Sequence, residues 1–143
     1  MSLKIEILDA NNIEEIVDLV SQLNPEMDRS LLRTRQMEMF QIDHYSCFGL
    51  FNNNRLIGLS SAWTTVRLYS GKQVELDNVI IDSSLQSKGL GTEFMRLIES
   101  WAKENNYETI ELNSYVHNTG SHKFYYRHNY KILGFHFQKK LRD

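Results

Sequence analysis

The chain has 143 residues, 41% of them hydrophobic and 24% charged, and a formal net charge of −2 with histidine neutral. That length suits one domain with one core over residues 1–143, and the composition is ordinary for a soluble globular protein. There is no basic signature for bulk nucleic-acid binding, and no apolar run approaches the ~20 residues that cross a bilayer, so neither nucleic acid nor membrane is an expected partner.

The N-terminus alternates like a strand through Ile5 and Ile7 and lacks the core of a signal peptide. Asn11 or Asn12 is placed to cap a helix that carries Ile13, Ile16, Val17, Leu19, Val20 and Leu23 on one face. Pro25-Glu26 breaks it, and a second helix is expected from about Asp28 to Met39, with Leu31, Leu32, Met39 and Phe40 buried. Tyr45 to Phe51 reads as a strand. It holds Cys47, whose lone presence excludes an intrachain disulfide, fits a reducing cytoplasm, and marks a small buried apolar residue rather than a nucleophile. Asn52-Asn53-Asn54 is a turn, Arg55 to Tyr69 a strand, Ser70-Gly71-Lys72 a turn, and Gln73 to Ile81 a strand, together an antiparallel meander.

The apolar run Val79-Ile80-Ile81 then leads into Gln86-Ser87-Lys88-Gly89-Leu90-Gly91, and a helix follows from about Thr92 to Asn105 with Phe94, Leu97, Ile98 and Trp101 on one face. A strand entering a glycine-bearing loop and then a helix aims free backbone N–H groups and a positive helix end at one spot, which fits an anion such as a pyrophosphate. The loop lacks the third glycine of a dinucleotide fold and the Gly-Lys-Ser/Thr of a Walker loop. Beyond it, Thr109 to Val116 reads as a strand, Gly120 to His128 as a short helix, and Tyr130 to Lys139 as one or two final strands. The order is β-α-α-β-β-β-α-β-α-β(-β), an α/β chain with a mixed α+β sheet. His117, His122 and His128 do not repeat on one helix face and have no cysteine partner, so no metal is expected.

The loop resembles the acyl-coenzyme A loop of the GNAT superfamily of N-acetyltransferases, Arg/Gln-x-x-Gly-x-Gly/Ala. Downstream, Asn118, Phe124 and Tyr125 match that family's second signature, Asn-x-x-Ala-x-x-Phe-Tyr-x-x-x-Gly-Phe, with Ser121, Asn129 and Tyr130 replacing its Ala, Gly and Phe. The element order is also that of the GNAT-like acyl-CoA N-acyltransferase fold, so the resemblance covers nearly the whole chain. It implies acetyl-CoA as co-substrate and a primary amine of a small molecule or peptide as acceptor. It further implies that the backbone of Val79, Ile80 and Ile81 pairs with the pantetheine arm. Gln86, Ser87, Lys88, Gly89, Leu90, Gly91 and Thr92 then hold the pyrophosphate, and Asn118 bonds the pantetheine or orders the loop beneath it.

Tyr125 matches the family's usual partner of the leaving thiolate, and the backbone N–H of Ile81 or a neighbour is the natural oxyanion donor. Glu75 precedes Gln86 by eleven positions, the spacing of the catalytic glutamate in the histone acetyltransferase branch. Asp77 shares its strand face. The base is therefore Glu75, Asp77 or a chain of waters. The same two acids, with Glu26, Asp28, Glu38 and Asp43 near the expected acceptor region, point to a cationic amine. A non-catalytic acyl-CoA sensor on the same fold is the alternative. Relatives often form homodimers through sheet edges or C-terminal strands, and the aromatic-rich Tyr130 to Phe137 suits such a contact as well as it suits a core strand.

Overall fold

Five strands form one mixed sheet in the order β1-β2-β3-β4-β5 in the computed structural model, which describes residues 2–86 and 88–143. The strands β1 (Leu3–Ile7), β2 (Tyr45–Asn52), β3 (Arg55–Arg67) and β4 (Gly71–Ile81) are antiparallel neighbours. The turns follow from residue type: Asn53 has φ 55° and Gly71 has φ 71°, left-handed angles that Asn and Gly accept at low cost. At Gly71 space matters as well, because a Cβ would fall on the Glu108 carboxylate, which accepts the Lys72 N–H at 2.9 Å. Beside the first half of β4 lies β5 (Thr109–Leu112), where the Glu108 N–H donates to the Lys72 carbonyl at 2.8 Å.

The chain divides into two compact units, the first ending at Glu111 and the second beginning at Leu112. In the first, α1 (Ile13–Leu23) and α2 (Arg29–Phe40) cover one sheet face. Ile16, Leu19 and Val20 of α1 and Leu32 of α2 cluster with Tyr45, Cys47, Leu59 and Ile80. Each such aliphatic side chain contributes about 1.5–3 kcal/mol by leaving water. On the other side α3 (Leu90–Glu104) packs against β1 and β4, burying Leu90, Phe94, Met95, Ile98 and Ala102. Phe48 lies edge-on to Trp101 of α3 at 4.8 Å.

Several local expectations are corrected. Asn12 holds the N-cap position of α1, as expected, but its side chain makes no cap bond to that helix: it accepts the Asp9 N–H at 3.1 Å, while the Asp9 carboxylate accepts the Asn11 N–H at 2.8 Å. This reciprocal box closes a 3-10 turn over Ala10–Asn12 that leads into the helix. Asp28 caps α2 through the Ser30 N–H at 3.1 Å. Leu23 and Leu31 are exposed. Successive helical residues point about 100° apart, so of Leu31 and Leu32 only the latter enters the core. A polar residue joins it: the buried Gln36 amide donates to the Tyr45 hydroxyl at 2.9 Å, which shares a 2.7 Å bond with Ser61. The strand β5 stops at Leu112 rather than Val116.

The second unit holds α4 (Thr119–Arg127), which carries Phe124 and Tyr125. The one or two strands expected over Tyr130–Lys139 are not formed. Among the described residues no regular element follows α4, and Ile132, Leu133, Phe135 and Phe137 are exposed. Apolar alternation marks a segment able to be a strand, but a strand exists only where a neighbour takes up its backbone N–H and C=O groups.

Candidate active site

Midway along β4 the register changes. Leu59 pairs with Ile80 and Ser61 with Asp77, so Asn78 and Val79 stand opposite the single Ser60. This is a β-bulge, and Asn78 takes φ 53° within it. Past the bulge the Asp82 N–H donates to the Ile57 carbonyl at 2.8 Å. Backbone direction alternates along a strand, so the groups of Ile80 face β3 and those of Val79 and Ile81 face away from it. Of the three residues expected to pair with a pantetheine arm, Val79 and Ile81 thus present their backbone outward. Ile80 does not, and its side chain fills the core.

The loop after β4 is anchored at its start. Asp82 accepts the Ser84 N–H at 3.0 Å and lies 3.2 Å from the Arg55 guanidinium. The Ser84 backbone bond, ahead of the arginine, holds the Asp82 carboxyl below its usual range. The Ser83 N–H donates to Gln22 of α1 at 2.8 Å. Gln86, Lys88 and Gly89 are exposed, and Ser87 lies outside the described residues. Gly89 has φ 74° and is the residue before α3, so it offers no side-chain acceptor to the first turn. A Cβ at Gly89 would meet no atom within 4 Å. The glycine is therefore required by its backbone angle, and the space above it is open. The helix starts at Leu90, two residues ahead of the expected Thr92, so Leu90, Gly91 and Thr92 form its first turn rather than the end of the loop. A fifteen-residue helix directs its positive end at this open space.

Glu75 and Asp77 share a face of β4, opposite Trp63 and Ser61. Glu75 is half-buried and lies 3.8 Å from Arg67. Asp77 is exposed, and its carboxylate accepts the Asn78 N–H at 2.9 Å. A further acid, Glu111 of β5, accepts the Tyr69 hydroxyl on both oxygens at 2.8 and 3.0 Å, and this bond raises the Tyr69 pKa. Nothing local in the sequence marks Glu111, because its partner is reached only through the β4–β5 pairing.

In the second unit, Asn118 caps α4 by accepting the Ser121 N–H at 3.3 Å. Tyr125 is half-buried, with its ring edge-on to Phe124 at 5.3 Å and Tyr130 at 5.7 Å. Burial raises its pKa, so the phenol keeps its proton throughout the neutral range. Tyr126 is exposed, as helical spacing predicts. His122 bonds the Tyr115 carbonyl at 2.8 Å, His117 stacks on Tyr115, and His128 packs on Phe124. Cys47, in the first unit, is fully buried, and burial pushes its thiol up to about 12, far from a nucleophilic thiolate.

The model of the acetyltransferase (GNAT) family matches residues 13–130. The chain belongs to this family. No curated protein matches its sequence. Among solved structures, a GNAT family acetyltransferase from Staphylococcus aureus is 22% identical with a TM-score of 0.79, covering 99% of this chain and 100% of that one. The aminoglycoside N-acetyltransferase AAC(6')-Iy in complex with CoA is 18% identical with a TM-score of 0.81, covering 99% and 96%. A ribosomal-protein-alanine N-acetyltransferase from Brucella melitensis is 12% identical with a TM-score of 0.82, covering 99% and 100%. At such identities the likeness establishes the fold. No described helix is long and apolar enough to cross a membrane.

Proposed function

We propose that the chain is one cytoplasmic N-acetyltransferase domain that moves the acetyl group of acetyl-CoA directly to a primary amine of a small molecule or peptide. The observation that carries this reading is the outward-facing backbone of Val79 and Ile81, which leads to the open space at Gly89 and the start of α3. Acetyl-CoA supplies an acetyl thioester and a pyrophosphate. Val79 and Ile81 offer the backbone pairing for its pantetheine arm. Gln86, Ser87, Lys88 and Gly89, with the first turn of α3 through Leu90, Gly91 and Thr92, receive the pyrophosphate. Asn118 keeps its side-chain amide N–H groups for the pantetheine while its oxygen caps α4.

Three tasks remain for the protein. Glu75 accepts the proton that an ammonium must shed before its nitrogen can attack. The Ile81 N–H donates to the oxyanion. Tyr125 gives its proton to the departing thiolate and recovers one from the newly formed amide nitrogen, so protons balance. Asp77 lies two residues from Glu75 on the same strand face, and of the two the half-buried Glu75 takes the role of base. Glu75, Asp77 and Glu111 favour a cationic acceptor, and the aminoglycoside and ribosomal-protein acetyltransferases among the structural relatives support an amine.

The test is thiol release from acetyl-CoA with a panel of polyamines, amino sugars, lysine-like amines and anionic amino acids. Turnover of the cationic members is expected, and Glu75→Gln should lower their kcat/KM by about 10²-fold. A Glu75→Gln variant with undiminished turnover would assign proton removal to Asp77 or to water. Preference for the anionic acceptors would remove the basis for a cationic substrate.

A further inference from the structure

Asp77 has a different part to play from Glu75. In β4 its carboxylate accepts the N–H of the next residue, Asn78, at 2.9 Å. That residue is the one placed in the left-handed region, at φ 53°, and it opens the bulge opposite Ser60. An L-residue adopts this angle reluctantly, and Asn is among the few side-chain-bearing residues that tolerate it. A bond from the preceding side chain to the same residue's N–H adds a second stabilising contact at the point where the ladder to β3 is interrupted.

The bulge has a directional consequence. With it, Ile80 and Asp82 turn their N–H groups to β3, and Val79 and Ile81 turn theirs away. Without the extra residue, every backbone group beyond Asp77 changes sides, as in any slip of one residue in a strand. The N–H groups of Val79 and Ile81 would then be spent on β3. The outward edge, which the proposed acetyl-CoA site requires, exists because the bulge exists.

We infer that Asp77 is a positioning residue rather than the base: it latches Asn78 in the bulge and so sets which backbone N–H groups of β4 face the coenzyme. This rests on the acetyl-CoA reading for its consequence, but the latch itself is a property of the protein without ligand. The two are therefore tested separately, by amide exchange of residue 78 in the ligand-free protein and by calorimetric titration with acetyl-CoA.

Asp77→Ala is expected to speed exchange at residue 78 and weaken acetyl-CoA binding, each by about three- to tenfold, the range of one net hydrogen bond. Asp77→Asn keeps a side-chain oxygen for the bond without being able to act as a base, and is expected to hold both quantities within about twofold. Adding Asn78→Gly to Asp77→Ala should restore coenzyme affinity, because glycine takes the left-handed angle unaided. Unchanged exchange at residue 78 in Asp77→Ala would overturn the latch, whether or not the protein binds acetyl-CoA. Equal loss of amine turnover in Asp77→Asn and Asp77→Ala, with affinity and exchange intact in both, would make Asp77 the base instead.

Discussion

Replacing Tyr125 with phenylalanine is expected to lower kcat by about 10²- to 10³-fold while the acetyl-CoA Kd stays within about twofold. The substitution removes one hydroxyl and keeps the ring that lies edge-on to Phe124 and Tyr130, so the local packing of α4 is preserved. A thiolate that must leave unprotonated is a poorer leaving group, and that loss falls on the chemical step rather than on coenzyme binding. The raised pKa of Tyr125 fits the role, since a phenol that stays protonated at neutral pH has a proton to give. Stopped-assay thiol release and calorimetry on the same sample separate the two quantities. Turnover at the wild-type rate would leave Tyr125 with a packing role alone. A wild-type protein that binds acetyl-CoA yet turns over no amine would favour the sensor reading.

The second large effect is on stability. Phe48→Ala should destabilise the fold by about 3–5 kcal/mol, the usual range for an aromatic residue lost from a packed core. Phe48 has no exposed surface, and its ring meets Trp101 at 4.8 Å, joining the middle of the sheet to α3. The cavity would open beneath the helix whose first turn borders the open space at Gly89. Urea unfolding followed by tryptophan fluorescence reports the change directly, because Trp101 is one of the partners. A loss below about 1 kcal/mol would show that α3 is held by its other buried residues, Phe94, Met95 and Ile98, without this contact.

Much of this architecture is legible in the sequence because it is encoded locally. The face of α1 is written in the spacing of Ile13, Ile16, Val17, Leu19 and Val20, all of which are buried. The meander is written in alternation broken at Asn53 and Gly71, both with left-handed angles. The glycine-bearing turn between β4 and α3 is legible in Gln86, Gly89 and Gly91, since few residues other than glycine accept the angle at position 89. What the sequence does not disclose depends on pairing across the sheet. The bulge at Asn78 is visible only once Ser61 is set opposite Asp77 and Leu59 opposite Ile80. The Tyr69–Glu111 bond needs β5 beside β4. Tyr130 to Lys139 shows the converse, an alternating pattern without a strand to pair with.

The roles proposed for Glu75, Tyr125 and the Gln86–Gly91 loop all require that this chain bind acetyl-CoA through its pantetheine and pyrophosphate. Calorimetric titration of the purified protein with acetyl-CoA, beside free coenzyme A and ATP, tests that requirement directly. The expected result is micromolar binding of both coenzymes and none of ATP, since ATP lacks the arm proposed to pair with Val79 and Ile81. A folded sample that binds neither coenzyme would contradict the assignment of the Gln86–Gly91 loop, and with it the roles given to Glu75 and Tyr125.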